Sequence, residues 1–375
     1  MLGRLFLLWA TGFSLVAQEY FPEEKPNLWI PSWELVAQAE RQNLPPGSIP
    51  DFSRSDARLR LRWSLGEEDG FQFKVGSISY LGSDGNAKNL IRQDNQPSNG
   101  SRLDLAELRF THTTERSGVQ IATGLMENPL LASESLWDPN LRIIGGGGRV
   151  FLRSDVVVEE VGIRAVAGEV RLMDGGRVEV RAGQVVARFS LGSITTTLHG
   201  GLWDLQPRQE DAVRFLRQNS GGGYGPVGPY GNPGLYGNLS GYADPHYRYE
   251  VTGAQVDWDA AVPVMISAQR QKRQEDGDIG QDFQVWVGSP TRRWWPQAGF
   301  IHQNLDPDGA LGSLNGDRWW FHSNASGDRF VLALNLPKRW RISLEYMNQS
   351  RLGSAYAYAS APSYTRSDLV LLKRF

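Results

Sequence analysis

Apolar and polar residues alternate with a period of two through most of this chain, and this pattern constrains the fold more than any other feature. In DARLRLRW (residues 56–63) every second residue is apolar and three of the others are arginines, and RWRISLEY (residues 339–346) repeats the pattern. Because successive side chains of a strand point to opposite faces, such runs predict strands with one apolar face. We count fifteen runs between residues 55 and 375. One of them, FQFKVGSISY, loses its phase near Gly76, where a β-bulge would restore it.

Composition removes several classes of protein. The 375 residues include 42 glycines, which disfavour long helices, and no cysteine, which excludes disulfides, thiolate catalysis and cysteine-based metal sites. No run of 18 apolar residues is present, so the sequence offers no transmembrane helix. The net charge of −2 gives no basic field for nucleic acid.

The N-terminal residues 1–17 resemble a secretory signal peptide. Arg4 precedes an apolar stretch from Leu5 to Val16, and cleavage is expected near Ala17. A buried N-terminal segment is the alternative. We therefore expect an exported chain.

Residues 18–54 differ in pattern from the alternating runs, and we expect them to form a separate segment that lies in the periplasm or packs inside the lumen of the folded protein. SWELVAQAERQNLPPG predicts a short helix that Ser32 caps and that Pro45 and Pro46 end. The domain that follows spans residues 55–375.

The connections between the runs alternate between short and long. ERSG, SLGS and LPK are short, whereas 128–148, 206–245 and 304–327 are long, and only 173–176 breaks the alternation. This asymmetry is typical of a transmembrane β-barrel with short periplasmic turns and long extracellular loops. A spanning sheet must close, because an open edge cannot exist in hydrocarbon. We predict an all-β, closed antiparallel transmembrane β-barrel of about 16 strands (14–16). Both termini in the periplasm require an even number of strands, so either one further strand lies within residues 19–54 or the N-terminal segment passes through the lumen.

The chain ends on the strand-like run YTRSDLVLLKRF. Leu369, Leu371 and Phe375 resemble the C-terminal insertion signal of bacterial outer-membrane proteins, in which apolar residues alternate and the last residue is Phe. Lys373 departs from that pattern and could snorkel at the membrane rim. A strand that happens to end in Phe is the alternative.

The stretch GLMENPLLASESLWDPNLRIIGGGG (residues 124–148) resembles a signature of a bacterial porin family. The matching residues are Gly124, Asn128, Pro129, Trp137, Asp138 and Gly145. The resemblance implies an outer-membrane β-barrel. The residues themselves predict that Pro129 ends a strand and that the remainder of the stretch is a long external loop. This loop either folds into the lumen and narrows it or covers the rim of the barrel.

Enzyme signatures are missing. No G-x-S-x-G, H-E-x-x-H or phosphate-binding glycine loop occurs, and the five histidines are not at metal-ligand spacing. We expect no catalytic residue, metal or cofactor. Two alternatives remain. One is a barrel lipase, in which His199 would pair with Ser193 or Ser240, and the other is an adhesive or ligand-binding barrel in which tyrosines of loop 206–245 stack on the ligand.

Charged residues that alternate with apolar ones should face the lumen, because a charge on the lipid face costs about 2–4 kcal/mol at the bilayer midplane. These residues either pair across the wall or also create a field that selects ions. The candidate pore-lining residues are Arg58, Arg60, Arg62, Glu107, Arg109, Arg164, Glu179, Arg181, Arg248, Glu250, Arg341 and Glu345.

Together these features predict a porin in the outer membrane of a Gram-negative bacterium. It would be a passive channel for small hydrophilic solutes or ions with a weak preference for anions, because eight of the twelve candidates are arginines. The expected partners are outer-membrane lipid and the barrel assembly machinery. We expect no binding of nucleic acid. The sequence is compatible with a homo-oligomer, and a soluble exported β-protein is a third hypothesis.

Overall fold

The computed structural model describes residues 30–43, 52–66, 69–83, 99–154, 157–171, 177–207, 246–292, 294–306, 308–311, 314, 325–337, 339–352 and 363–374. The predicted signal peptide, the tyrosine-rich part of loop 206–245 and Phe375 lie outside this part of the chain. The described residues contain no helix long and apolar enough to cross a membrane.

The described residues form sixteen β-strands. They are β1 (Ile30–Asn43), β2 (Phe52–Gly66), β3 (Gly70–Ser83), β4 (Asn99–Thr113), β5 (Ser117–Met126), β6 (Ile143–Arg153), β7 (Val158–Arg171), β8 (Arg177–Leu191), β9 (Ile194–Pro207), β10 (Tyr247–Trp258), β11 (Val264–Arg273), β12 (Ile279–Gly288), β13 (Pro296–Leu305), β14 (Ala325–Leu336), β15 (Trp340–Arg351) and β16 (Ser363–Arg374).

The strands close into a barrel in sequence order. Each strand pairs with its neighbours in the chain, and β1 also pairs antiparallel with β16, with Ala37 opposite Leu371. Closure leaves no sheet edge unpaired, which is the condition that hydrocarbon imposes on a spanning sheet.

The predicted N-terminal helix is wrong, because its residues belong to strand β1. Ser32 lies opposite Arg62 on β2, and Glu34 lies opposite both Arg60 on β2 and Arg374 on β16. Without β1, the edges of β2 and β16 would be open, so pairing on both sides outweighs the local helix signals. The barrel therefore begins at Ile30 and not at residue 55, and β1 is the strand that the run count missed.

The two rims of the barrel differ in the length of their connections. At one rim the strands follow each other closely, as at residues 67–69 and 192–193, and at the other rim the connections include 127–142 and 208–246. We call these the short-turn rim and the long-loop rim. The connections 172–176 and 274–278, of five residues each, lie at the long-loop rim and are its short exceptions, of which the sequence indicated only the first.

The outer and inner faces of the wall also differ. Large apolar side chains are exposed on the outside, as Phe71, Ile163 and Leu202 show. Inside, a buried apolar cluster lines β7–β10 and includes Val180, Trp203 and Tyr249. A β-bulge is present where the register between β3 and β4 shifts at Gly76 and Ser77, but its extra residue is Asp104 of β4, whereas the sequence predicted a residue of β3.

Candidate functional site: a constriction in the lumen

Residues 127–142, which connect β5 to β6, lie inside the barrel, and we call them the inserted segment. The Leu131 amide donates to Oε1 of Gln184 on β8 over 2.9 Å, and Nε2 of Gln184 donates back to the Leu131 carbonyl over 2.8 Å. Farther along, the Ser133 amide donates to Oε1 of Gln269 on β11 over 2.9 Å. The segment therefore crosses the lumen and does not cap the rim.

A buried ion pair holds the middle of the inserted segment to the wall. Nη1 of Arg329 on β14 lies 2.8 Å from Oε2 of Glu134, and the two side chains are 3% and 5% exposed. A buried charge of this kind is costly without its partner, so the pair specifies where the segment attaches.

Apolar contacts fix the same segment against β7–β10. Leu130, Leu136 and Trp137 are buried in the cluster that also contains Trp203. The rings of Trp137 and Trp203 meet at a centroid distance of 5.8 Å and an angle of 46°. Tilted pairs of this kind add about 0.5–1.5 kcal/mol to the burial of the rings.

The motif residues have local structural roles in this arrangement. Gly124 has a φ of 117°, and a Cβ there would lie 2.2 Å from the Ala106 carbonyl oxygen. Oδ1 of Asn128 accepts from the Leu130 amide, and the Pro129 carbonyl accepts from Arg164. Oδ1 of Asp138 accepts from the amide of Asn140 over 2.8 Å. The motif thus shapes the chain where it leaves β5 and turns into the lumen.

The glycine run at the end of the motif is not part of the loop. Gly145–Gly148 lie in β6, which begins at Ile143. At Gly147 a Cβ would lie 2.9 Å from Cε of Met126 and 3.2 Å from Cγ of Pro129. A larger residue there would crowd the turn into the inserted segment.

A charged cluster joins the other side of the inserted segment to β2 and β4. Asp104 is 1% exposed, and its Oδ2 lies 3.0 Å from Nε of Arg60, 3.5 Å from Nη2 of Arg62 and 3.3 Å from Nη2 of Arg142. Asp104 is the extra residue of the β-bulge, since Gly76 pairs with Leu105 and Ser77 with Leu103. The bulge turns a carboxylate inward that strict alternation would not place there.

Glu127, at the start of the inserted segment, belongs to the same cluster. Burial opposes its charge, but the guanidinium of Arg62 and then those of Arg142 and Arg60 outweigh burial and lower the pKa of Glu127 to about 2. For Arg142, burial lowers the pKa, and Asp104 and Glu127 oppose this effect. Three guanidiniums and two carboxylates thus leave one positive charge in excess.

Seven of the twelve candidate pore-lining residues lie on the inner face. Arg60, Arg62, Glu107, Arg109, Arg164, Arg341 and Glu345 occupy positions that alternate with exposed apolar residues of the outer face. Arg58 lies opposite Val36 and Tyr80 in the register, and its side chain is outside the described structure. Arg164 and Arg341 are buried, the latter with hydrogen bonds to Gln297 and Asn335.

Four candidates face the outside of the barrel, so their predicted position in the lumen is wrong. Glu179 and Arg181 alternate with the buried Val178 and Val180. Arg248 and Glu250 alternate in the same way with the buried Tyr247 and Tyr249 of β10. In this sector the inner face is apolar because the inserted segment packs there, which reverses the usual polarity of the wall.

Sequence reasoning missed the residues that hold the inserted segment. Glu134 and Arg142 lie in the inserted segment, whereas Arg329 lies on β14 and Asp104 on β4, and only the folded barrel brings each pair together. The available signal was a set of polar residues at inward positions of strands, namely Gln184 on β8, Gln269 on β11 and Arg329 on β14.

At the long-loop rim, Arg273 joins two connections. Its Nη1 lies 2.7 Å from Oδ2 of Asp276 in the connection 274–278 and 2.8 Å from Oδ2 of Asp308 in the connection 306–324. Asp278 lies beside them. The guanidinium offsets one of these three negative charges and joins the two connections at the long-loop rim.

The described part of the predicted C-terminal signal fits the outer face. Leu369 lies opposite Leu344, and Leu371 lies opposite Ile342, both exposed residues of β15. Nζ of Lys373 lies 5.1 Å from the centre of the Trp340 ring at the short-turn rim. Phe375 is outside the described residues.

Solved structures share this fold. OprB of Pseudomonas putida, in its high-pH structure, superposes with a TM-score of 0.57 at 10% identity, over 93% of this chain and 94% of that chain. OmpF of Salmonella typhi, solved in complex with daunomycin, gives a TM-score of 0.52 at 10% identity, over 92% of this chain and 97% of that chain. No family model matches the sequence, and a search of curated proteins gives no match.

The fold is that of the outer-membrane porins. The resemblance of residues 124–148 to a bacterial porin family is thereby confirmed at the level of the fold.

Proposed function

We propose that this protein is a porin in the outer membrane of a Gram-negative bacterium, through which small hydrophilic solutes diffuse passively. The observation that carries the proposal is the inserted segment, which crosses the lumen while charged side chains in the sector beside β2–β6 stay partly exposed. Arg62, Arg109 and Glu127 remain 27%, 24% and 26% exposed in that sector. Charged groups exposed inside a barrel are suited to contact hydrated solutes and ions.

Export by the signal peptide, insertion by the barrel assembly machinery and a lipid environment are parts of the same proposal. The exposed apolar outer face supports them, because a face of this kind needs hydrocarbon around it.

We also propose the weak preference for anions. The inner-face cations of β2–β6 remain partly exposed, as Lys74, Arg102 and Arg149 show, whereas Asp104 and Glu107 are buried. The cations therefore dominate the charge that a passing ion meets, although four of the residues on which the sequence argument relied lie elsewhere.

No specific observation favours the lipase-like alternative. Among the described residues, no serine hydroxyl lies within hydrogen-bond distance of a histidine, and His112, His246 and His302 each pair with an aspartate.

Conductance measurements test the proposal. The folded full chain added to a planar bilayer should give discrete, ohmic conductance steps, and protein unfolded in urea should give none. A protein that migrates as a folded barrel in gel electrophoresis but gives no steps would contradict the channel and leave the fold intact.

A further inference from the structure

Three cations protrude from the outer face of the barrel on two neighbouring strands. They are Arg248 on β10 and Arg270 and Lys272 on β11, and we call them the outer basic patch. All three are exposed. Lys272 lies opposite Glu250 in the register, and Arg270 lies opposite Thr252.

Their side chains are not engaged by the described part of the protein. Within the described residues, no hydrogen-bond or ion-pair partner is found for the guanidinium of Arg248, that of Arg270 or the ammonium of Lys272. The nearby Glu250 accepts a hydrogen bond from Nε2 of Gln274 over 3.1 Å. Glu250 and Asp204 lie opposite Lys272 and Arg248 in the register, so the three cations keep an excess of one positive charge over these two carboxylates.

The depth of the patch is set by the apolar band below it. Trp258, at the short-turn end of β10, is exposed, and Arg248 lies ten residues away (258 − 248) on the same strand and face. At a rise of about 3.3 Å per residue and a strand tilt of about 40°, this separation corresponds to a height of roughly 25 Å. An apolar band of a transmembrane barrel is about 25 Å tall, so the patch lies at the headgroup level of the leaflet beside the long-loop rim.

We propose that the outer basic patch binds the phosphate groups of an anionic lipid in that leaflet. Arginine and lysine are suited to phosphate, and both reach a headgroup from an apolar surface by extending their side chains. Arg181 on β8, on the same outer face, extends the site, since it lies opposite Asp204, which is itself opposite Arg248. The inference rests on the proposed membrane location and adds a lipid-binding site to it.

Charge complementarity favours a lipid over a second copy of the chain. The described acidic residues of the outer face near this rim are Glu169, Glu179, Asp204, Glu250 and Asp328, and the first four alternate with cations of the same sector. They form no separate acidic patch on which the outer basic patch of another copy could dock.

Lipid titration of the full chain in detergent micelles tests the proposal. The probes are lipid A with its two phosphates and phosphate-free lipid A, with bound lipid counted by native mass spectrometry. The triple variant Arg248→Gln, Arg270→Gln, Lys272→Gln should bind phosphorylated lipid about 100-fold more weakly, because each cation near an anionic surface contributes similarly to binding. The matched control, Arg116→Gln, Arg292→Gln, Arg339→Gln, removes three cations at the short-turn rim and should not reduce binding.

A loss of less than tenfold, the same loss in the control, or equally tight binding of phosphate-free lipid by the wild type would overturn the proposal. So would a triple variant that changes oligomeric state and keeps its lipid affinity, since a second copy would then occupy the patch. If the triple variant folds poorly, the wild type alone remains informative, because high salt should weaken its binding of phosphorylated lipid and leave that of phosphate-free lipid unchanged. Conductance of the same preparations separates the lipid site from the proposed channel. A protein that conducts but does not bind phosphorylated lipid would contradict only the lipid site, and one that binds the lipid but does not conduct would contradict only the channel.

Discussion

Asp104 shows how one residue organises the lumen. As the extra residue of a β-bulge, it turns inward and accepts contacts from three guanidiniums that arrive from β2 and from the inserted segment. Without a shared carboxylate, these like charges would repel one another at short distance in a buried site. The carboxylate therefore permits the density of positive charge on this wall.

The substitution Asp104→Asn should destabilise the protein by about 3 kcal/mol, because it leaves buried charge uncompensated. The free energy of unfolding from urea titrations in lipid vesicles measures this cost. Asp259→Asn, at an exposed turn residue, is the matched control and should change it by less than about 0.5 kcal/mol. Equal effects of the two variants would show that Asp104 does not hold the cluster.

Glu127 makes the attachment of the inserted segment depend on pH. Its folded-state pKa of about 2 is below the ordinary value of 4.5, so its ion pairs stabilise the segment above about pH 4.5 and are lost as the pH falls toward 2. Single-channel recordings should show steady current from pH 7 to about pH 5 and added fluctuation near pH 2–3. Glu127→Gln should fluctuate at pH 7 already, and a wild-type current that changes mainly between pH 7 and 5 would contradict this assignment.

At the scale of elements, alternation predicts the strands well, because lipid on one side and polar groups on the other give a clear period of two in Phe52–Gly66 and Trp340–Arg351. It fails at Ile30–Asn43, where helix signals in the sequence compete with pairing to two strands that are far apart in the chain. It also fails at Arg181 and Arg248, since the inner polarity of β8 and β10 depends on a segment that packs against them. The site could be predicted as a long loop at residues 128–148, but not as a set of contacts with β2, β4, β8, β11 and β14.

The inserted segment is held from both sides, and its ion pair with β14 can be tested. Glu134→Gln should weaken the attachment by about 3–5 kcal/mol, because Arg329 is left buried without its partner. We expect a larger and noisier single-channel conductance. The exchange Glu134→Arg with Arg329→Glu should recover part of the loss, and Asp328→Asn on the outer face should leave conductance unchanged. An unaltered conductance in Glu134→Gln would mean that the apolar contacts of Trp137 alone hold the segment.

Across the whole molecule, charge is distributed by sector. The β2–β6 side of the lumen carries partly exposed cations. On the opposite side Gln269 and Gln271 bond the inserted segment and the charge of Arg329 is paired with Glu134, and further cations stand on the outer face. Only the first group contacts the aqueous path in the proposed channel. Net charge summed over the wall therefore overestimates the field that an ion meets.

Ion selectivity tests this division between the faces of the barrel. Under a KCl gradient the wild type should show a reversal potential on the anion side, because fields from a few charges are focused in a narrow low-dielectric channel. Lys74→Glu with Arg149→Glu should move the potential toward cations by reversing two inner charges, and a larger shift is expected than for Arg60→Glu, which also breaks the contact with Asp104. Arg181→Glu also replaces an arginine by a glutamate, but on the outer face, and should leave the reversal potential at its wild-type value. A shift in Arg181→Glu as large as that in the inner variants would place the selective field outside the lumen and defeat the proposed path.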